Sequence, residues 1–170
     1  MHTIKLIFTL LLVLAVLLVL VLVLAGQLGF LRGKAPLTLG VQDGKLKAPS
    51  KTPNSVSSQA SLWPGHPQQA YAQIAPLAYL PGGGPATLAR LAAICGGMPG
   101  AQVVQSSSGY LHATFTTPLL KFTDDLELWL DTSAGVVQVR SASRLGRKDF
   151  GVNRARVESL RAALQASPPP

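Results

Sequence analysis

The chain has 170 residues, 48% of them apolar, with 15 Lys and Arg against 7 Asp and Glu and a net charge of +8. One cysteine, Cys95, rules out an internal disulfide, and three histidines far apart in the chain, His2, His66 and His112, rule out a histidine-built metal cluster, so no metal site is expected. Once an apolar N-terminal segment and a linker are set aside, about 100 to 120 residues remain, enough for one domain with a single modest core.

After a head at 1–5, residues 6–25 are apolar throughout apart from Thr9. Twenty residues at about 1.5 Å each reach about 30 Å, the thickness of a bilayer's hydrocarbon core, which predicts a transmembrane helix. A cleaved signal peptide is the competing reading, but its apolar region is shorter, about 7 to 15 residues. Gln27 follows Gly26 where a lipoprotein site would require Cys. Lys5 before the segment and Arg32, Lys34 and Lys45 after it would by charge alone keep the domain in the cytoplasm. The short head instead favours a signal anchor that exports the domain, which places the protein in the inner membrane with a periplasmic domain.

Residues 26–52 form a Pro- and Gly-containing linker with five basic residues against Asp43. The composition predicts a flexible segment, and its charge suits anionic headgroups or polymers. Nucleic acid is not an expected partner, because no zinc spacing, aromatic stacking series or helix-turn-helix pattern accompanies the charge.

The expected domain, 53–165, begins with Pro53, Asn54, Ser55, Val56, Ser57 and Ser58, read as a structural turn feeding a short edge segment. Ile74 to Leu80 is a candidate first strand. Gly82-Gly83-Gly84-Pro85 is not a phosphate loop, since no Gly-Lys-Ser/Thr follows. Pro85 instead suits the first turn of a helix running to about Cys95, with Leu88, Leu91, Ala92 and Cys95 on one stripe. Cys95 reads as a core residue, not a nucleophile.

Four strands follow, at 101–106, 110–116, 122–131 and 136–143, joined by short turns as antiparallel hairpins. A helix from about Asn153 to Gln165 places Val157, Leu160 and Leu164 on its apolar stripe, with Asn153 as a favoured N-cap. The expected fold is α+β, a four-stranded antiparallel meander flanked by two helices that cover one face, with a Pro-rich tail at 166–170.

The polar residues of interest cluster late in the chain. Asp124 and Asp125 are strand neighbours and point to opposite faces, so they cannot share a proton or a metal. Asp124 lies in line with Phe122, Leu126, Leu128 and Leu130 on the inner face. Closing the last hairpin over 132–135 sets Leu128 opposite Val139, Leu126 opposite Ser141, Asp124 opposite Ser143, and Glu127 opposite Arg140 on the outer face as a cross-strand ion pair. Arg156 projects beside the apolar stripe of the last helix and needs an anion. Asp124, Ser141, Ser143, Arg144, Asp149, Asn153 and Arg156 form the candidate cluster, with Asp124 and Arg156 expected to pair. His112 reads as a polar-face residue.

Residues 140–158, RSASRLGRKDFGVNRARVE, together with Tyr110 to Asp131 upstream, and the earlier PNSVSSQA at 53–60 resemble a bacterial and plastid family, domain of unknown function 1499, whose members read close to VRSASRxGxxDxGxNRxRVE and PNCVSSQA. The resemblance covers roughly Leu39 to Leu164 and implies no activity. Ser55 stands where the family usually has Cys, and the second Cys common shortly before it is missing, so any role of that pair elsewhere does not extend to this chain. No cofactor is expected. The reading that results is a membrane-anchored envelope protein with a non-catalytic binding or assembly domain, whose partner is an envelope protein or an anionic ligand. The alternative is a small hydrolase or transferase using the candidate cluster.

Overall fold

The computed structural model describes residues 2–166. The first helix, α1 (His2–Gln27), includes the described part of the expected head and is long and apolar enough to cross a membrane. The Pro-rich tail beyond Ala166 lies outside the described residues.

The domain is an antiparallel sheet in the order β1-β6-β5-β4-β3, built from β1 (Ser55–Ser57), β3 (Ala101–Ser106), β4 (Tyr110–Thr116), β5 (Thr123–Asp131) and β6 (Val136–Ser143). The sixth strand, β2 (Leu77–Ala78), pairs with the start of β6 while β1 pairs with its end. The expected meander is therefore present and is extended from four strands to six, because the free edge of β6 is capped by two short segments that carry too few residues to show a period of their own. A short helix, α2 (Gln69–Ala72), connects β1 to β2. Phe122 lies just outside β5 and is partly exposed instead of joining the core face.

Strand alternation sets the two faces of the sheet. Leu111, Ala113, Leu126, Leu128, Val137 and Val139 point inward and are fully buried under α3 (Gly83–Gly97) and α4 (Val152–Gln165). From α3 come Leu88, Leu91 and Cys95, and from α4 Val157, Leu160 and Leu164, the stripes that their helical spacing predicts. The β5–β6 register sets Leu130 opposite Val137, Leu128 opposite Val139, Leu126 opposite Ser141 and Asp124 opposite Ser143.

The segment from 39 to 52 differs from the expectation of a flexible linker. It lies over the outer face of the sheet, where Leu46 is buried and its N–H donates to Gln59 Oε1 at 2.8 Å. The Gly40 N–H donates to Glu127 Oε1 at 2.8 Å, and the Ala48 carbonyl accepts from Arg140 Nε at 3.4 Å. Glu127 and Arg140 pair at 3.2 Å on the outer face, as the register predicts, and this strap buries the pair. What orders the strap is the need of a buried carboxylate and guanidinium for main-chain partners, a signal that composition does not carry. Leu46→Ala is expected to lower domain stability by about 2 to 5 kcal/mol, the cost of emptying a buried leucine site, with a urea unfolding midpoint reading the loss. An unchanged midpoint would mean that the strap is not packed on the sheet.

Candidate functional site

Two adjacent carboxylates organise the end of the sheet nearest α1. Asp124 faces inward, and Arg156 arrives from the second turn of α4 to donate through Nη2 to its Oδ2 at 2.6 Å. Arg156 Nη1 donates to Ser141 Oγ at 2.9 Å and to Asn153 Oδ1 at 2.7 Å, and the guanidinium stacks 4.5 Å from the centre of the Phe115 ring. Ser141, fully buried, donates its hydroxyl to Asn153 Oδ1 at 2.6 Å.

Asn153 is the hub. Its Nδ2 lies within hydrogen-bonding distance of the Asn54 carbonyl, Ser143 Oγ and Asp149 Oδ2, at 3.1, 3.0 and 2.9 Å. It is not the N-cap of α4. That position belongs to Gly151, at φ 84°, and the capping is done by Asp149, whose carboxylate accepts the Gly151 and Asn153 N–H groups at 3.1 and 3.2 Å. Burial pushes the Asp149 carboxyl up, but the hydrogen bond from Tyr71 and these N–H donors outweigh it and hold the group below the usual carboxylate range.

Arg144 does not join this cluster. It follows Ser143, so parity turns it to the outer face, where it grips Asp125 with Nε and Nη2 at 2.8 and 2.7 Å. His112 Nε2 lies 2.8 Å from Asp125 Oδ1. Burial raises the Asp125 carboxyl, yet the Arg144 and His112 contacts prevail and leave it below its ordinary value. The neighbours Asp124 and Asp125 thus each hold an arginine, one on each face. Sequence reasoning missed the Asp125 site, although the alternation that turned Asp125 away from Asp124 also aims it at His112 and Arg144.

The motif turn is joined to the cluster through its backbone. The Pro53 carbonyl accepts the Asp149 N–H at 3.2 Å, and the Asn54 carbonyl accepts the Ser143 N–H at 3.0 Å. Asn54 Nδ2 donates to the Gly146 carbonyl at 2.7 Å, while Asn54 Oδ1 has no hydrogen-bond partner among the described residues. Ser55 Oγ accepts the Ser50 N–H, Ser57 Oγ the Gln59 N–H, and Ser58 Oγ the Val139 N–H. Each serine of the turn therefore serves main-chain satisfaction. Cys95 is enclosed by the core, and burial pushes its thiol up to about 12, far from the thiolate a nucleophile needs. No group of His, Cys, Asp and Glu among the described residues is arranged to hold a metal.

Beside the closed cluster lies an open groove of about 930 Å³. Met98, Phe115 and Ala155 contribute apolar wall, and its charged lining residues are Arg32, Lys121, Arg144 and Arg156, with no carboxylate among them. Arg144 and Arg156 are engaged from behind by Asp125 and Asp124, whereas Arg32 and Lys121 make no ion pair among the described residues.

The fold and site define a small α+β domain carried on an apolar helix, with an inner ion-pair cluster sealed by a motif turn. The chain belongs to the family of proteins of unknown function DUF1499, whose model matches residues 45–164. No curated protein and no solved structure matches it. The two family motifs, about 90 residues apart in the chain, meet in space through the Asn54, Ser143, Asp149 and Asn153 contacts.

Breaking a buried pair from one side leaves an uncompensated charge. Asp124→Ala and Arg156→Ala should each cost about 3 to 5 kcal/mol in chemical denaturation, and the double variant clearly less than their sum. Strict additivity would show that the two charges do not act on each other. Acid should act through Asp125 and Asp149. Each is depressed in the folded state, so its stabilisation is complete above the unfolded value near 3.9 and disappears as pH falls through the lower folded value. Asp125→Asn is expected to flatten the acid limb of the stability curve below about pH 4, and an unaltered limb would refute its part in acid unfolding.

Proposed function

We propose that the protein is a single-pass inner-membrane protein whose domain, on the periplasmic side, is a non-catalytic binding module for an anionic ligand presented close to the membrane surface. The observation that carries this reading is the groove, which is open, beside the exit of α1, and lined by four cations without a carboxylate. Arg32 and Lys121 supply free positive charge, and the fixed guanidinium planes of Arg144 and Arg156 form a rigid floor. Phosphate or carboxylate groups suit such a lining.

The closed cluster supports a structural role over a catalytic one. Ser141 is buried and donates to an amide oxygen where a nucleophile would need a base, and Asp124 is already occupied by Arg156. A hydrolase or transferase site would have these groups facing a cavity.

Titration of the full-length protein in detergent micelles with inorganic phosphate and with glycerol phosphate, followed by calorimetry, tests the reading. Saturable binding is expected for the parent chain, with loss on Arg32→Glu combined with Lys121→Glu, two exposed or half-exposed positions whose change leaves the core intact. Absence of binding by the parent, or unchanged binding by the double variant, would overturn it. Protease added to spheroplasts should digest the domain, and protection would place it in the cytoplasm.

A further inference from the structure

The fold leaves its exposed apolar side chains unevenly distributed. Leu119 and Phe122 stand on the β4–β5 turn, Leu145 and Phe150 on the β6–α4 loop, and Val152 at the start of α4, all at the end of the sheet that meets α1. The turns at the opposite end, 107–109 and 132–135, contain only Ser, Gly, Thr and Ala. Of these five Phe150 is the most exposed, at 93%, and it is held at φ 51°, a conformation that costs a bulky L-residue energy. Lys121, Arg147 and Lys148 accompany these residues on the same two loops and make no ion pair among the described residues. The one acid of the β6–α4 loop, Asp149, is turned inward to Tyr71 and Asn153.

The position of α1 gives this end its depth. Gln27 Nε2 donates to the carbonyls of Pro118 and Leu119 at 3.2 and 2.8 Å. Gly26 packs so tightly on the Leu120 backbone that an added Cβ would lie 2.6 Å from its carbonyl oxygen, and Gly33 packs on Arg144 in the same way. With residues 6–25 filling the hydrocarbon layer, Gln27 lies at its edge, and the β4–β5 turn that it holds lies among the headgroups. Exposed aromatic and aliphatic side chains interleaved with Lys and Arg are the chemistry of an interfacial contact with anionic lipid.

We propose that the α1-facing end of the domain docks flat on the anionic bilayer that carries it, Leu119 and Phe150 entering the headgroup layer and Arg147 and Lys148 meeting lipid phosphates. This rests on the anchored reading above, but not on the ligand of the groove. Docking holds the domain in one orientation and keeps the mouth of the groove close to the lipid surface.

The test uses full-length protein reconstituted in vesicles of phosphatidylcholine and phosphatidylglycerol, with a nitroxide placed by Leu145→Cys or, at the far end, by Ser133→Cys. Cys95 is buried and stays unlabelled. The label at 145 is expected to be several-fold less accessible than that at 133 to a water-soluble paramagnetic relaxer. Adding Phe150→Ser and Lys148→Glu, both surface changes, should restore its accessibility, as should vesicles of phosphatidylcholine alone. Equal accessibility of the two labels in anionic vesicles would overturn the proposal. So would protection at 145 that grows with protein density and persists without anionic lipid, because that marks a second copy as the occupant. Failure of the protein to float with the vesicles would remove the anchored reading itself.

Discussion

The contact of Arg156 with Asp124 is the constraint that the arrangement of the domain depends on. A guanidinium beside the apolar stripe of a packed helix must find an anion, and the inner face of the sheet offers it one carboxylate, Asp124, at 2.6 Å. Meeting it sets where α4 lies along β5 and β6. The remaining donors of Arg156 then fall on Ser141 and Asn153, and Asn153 passes the restraint to Asn54, Ser143 and Asp149. A buried pair of this kind adds little stability relative to an apolar replacement, and its effect is to penalise every other docking of the helix.

The same logic operates on the outer face with different partners. Asp125 is held by Arg144 and His112, and Glu127 by Arg140, Tyr110 and the Gly40 N–H. Both faces of β5 are therefore buried along most of the strand, although its sequence alternates carboxylate and leucine as a half-exposed strand does. The strap at 39–52 makes this tenable. It buries one large apolar residue fully, Leu46, and supplies several main-chain groups, so its order comes largely from satisfying buried polar atoms and not from a hydrophobic stripe.

Polarity is divided within a short distance at this end of the sheet. The inner cluster is nearly saturated with its own partners, whereas the groove next to it presents Arg32 and Lys121 without a carboxylate. Arg144 and Arg156 belong to both, since each is fixed by an aspartate from one side and borders the groove on the other. A rigid scaffold thus ends in a basic, open surface, and the exit of α1 beside it ties that surface to the helix.

Sequence alone determined what depends on period and parity. The length of the apolar run defined α1, and alternation in 122–131 and 136–143 fixed the hairpin register, so that the facing of Asp124 with Ser143 and of Glu127 with Arg140 followed without coordinates. Helical angle put Arg156 on the side where Asp124 waits. Tertiary structure decided what depends on contacts between distant segments with no period of their own. β1 and β2 are too short to announce themselves, and they form because β6 has an edge to fill. The strap orders because Glu127 and Arg140 require backbone partners, and Asn153 leaves the N-cap because three acceptors from three segments converge on its amide. The groove exists only once α4, β4 and the chain after α1 are brought together, a relation between surfaces that no local pattern encodes.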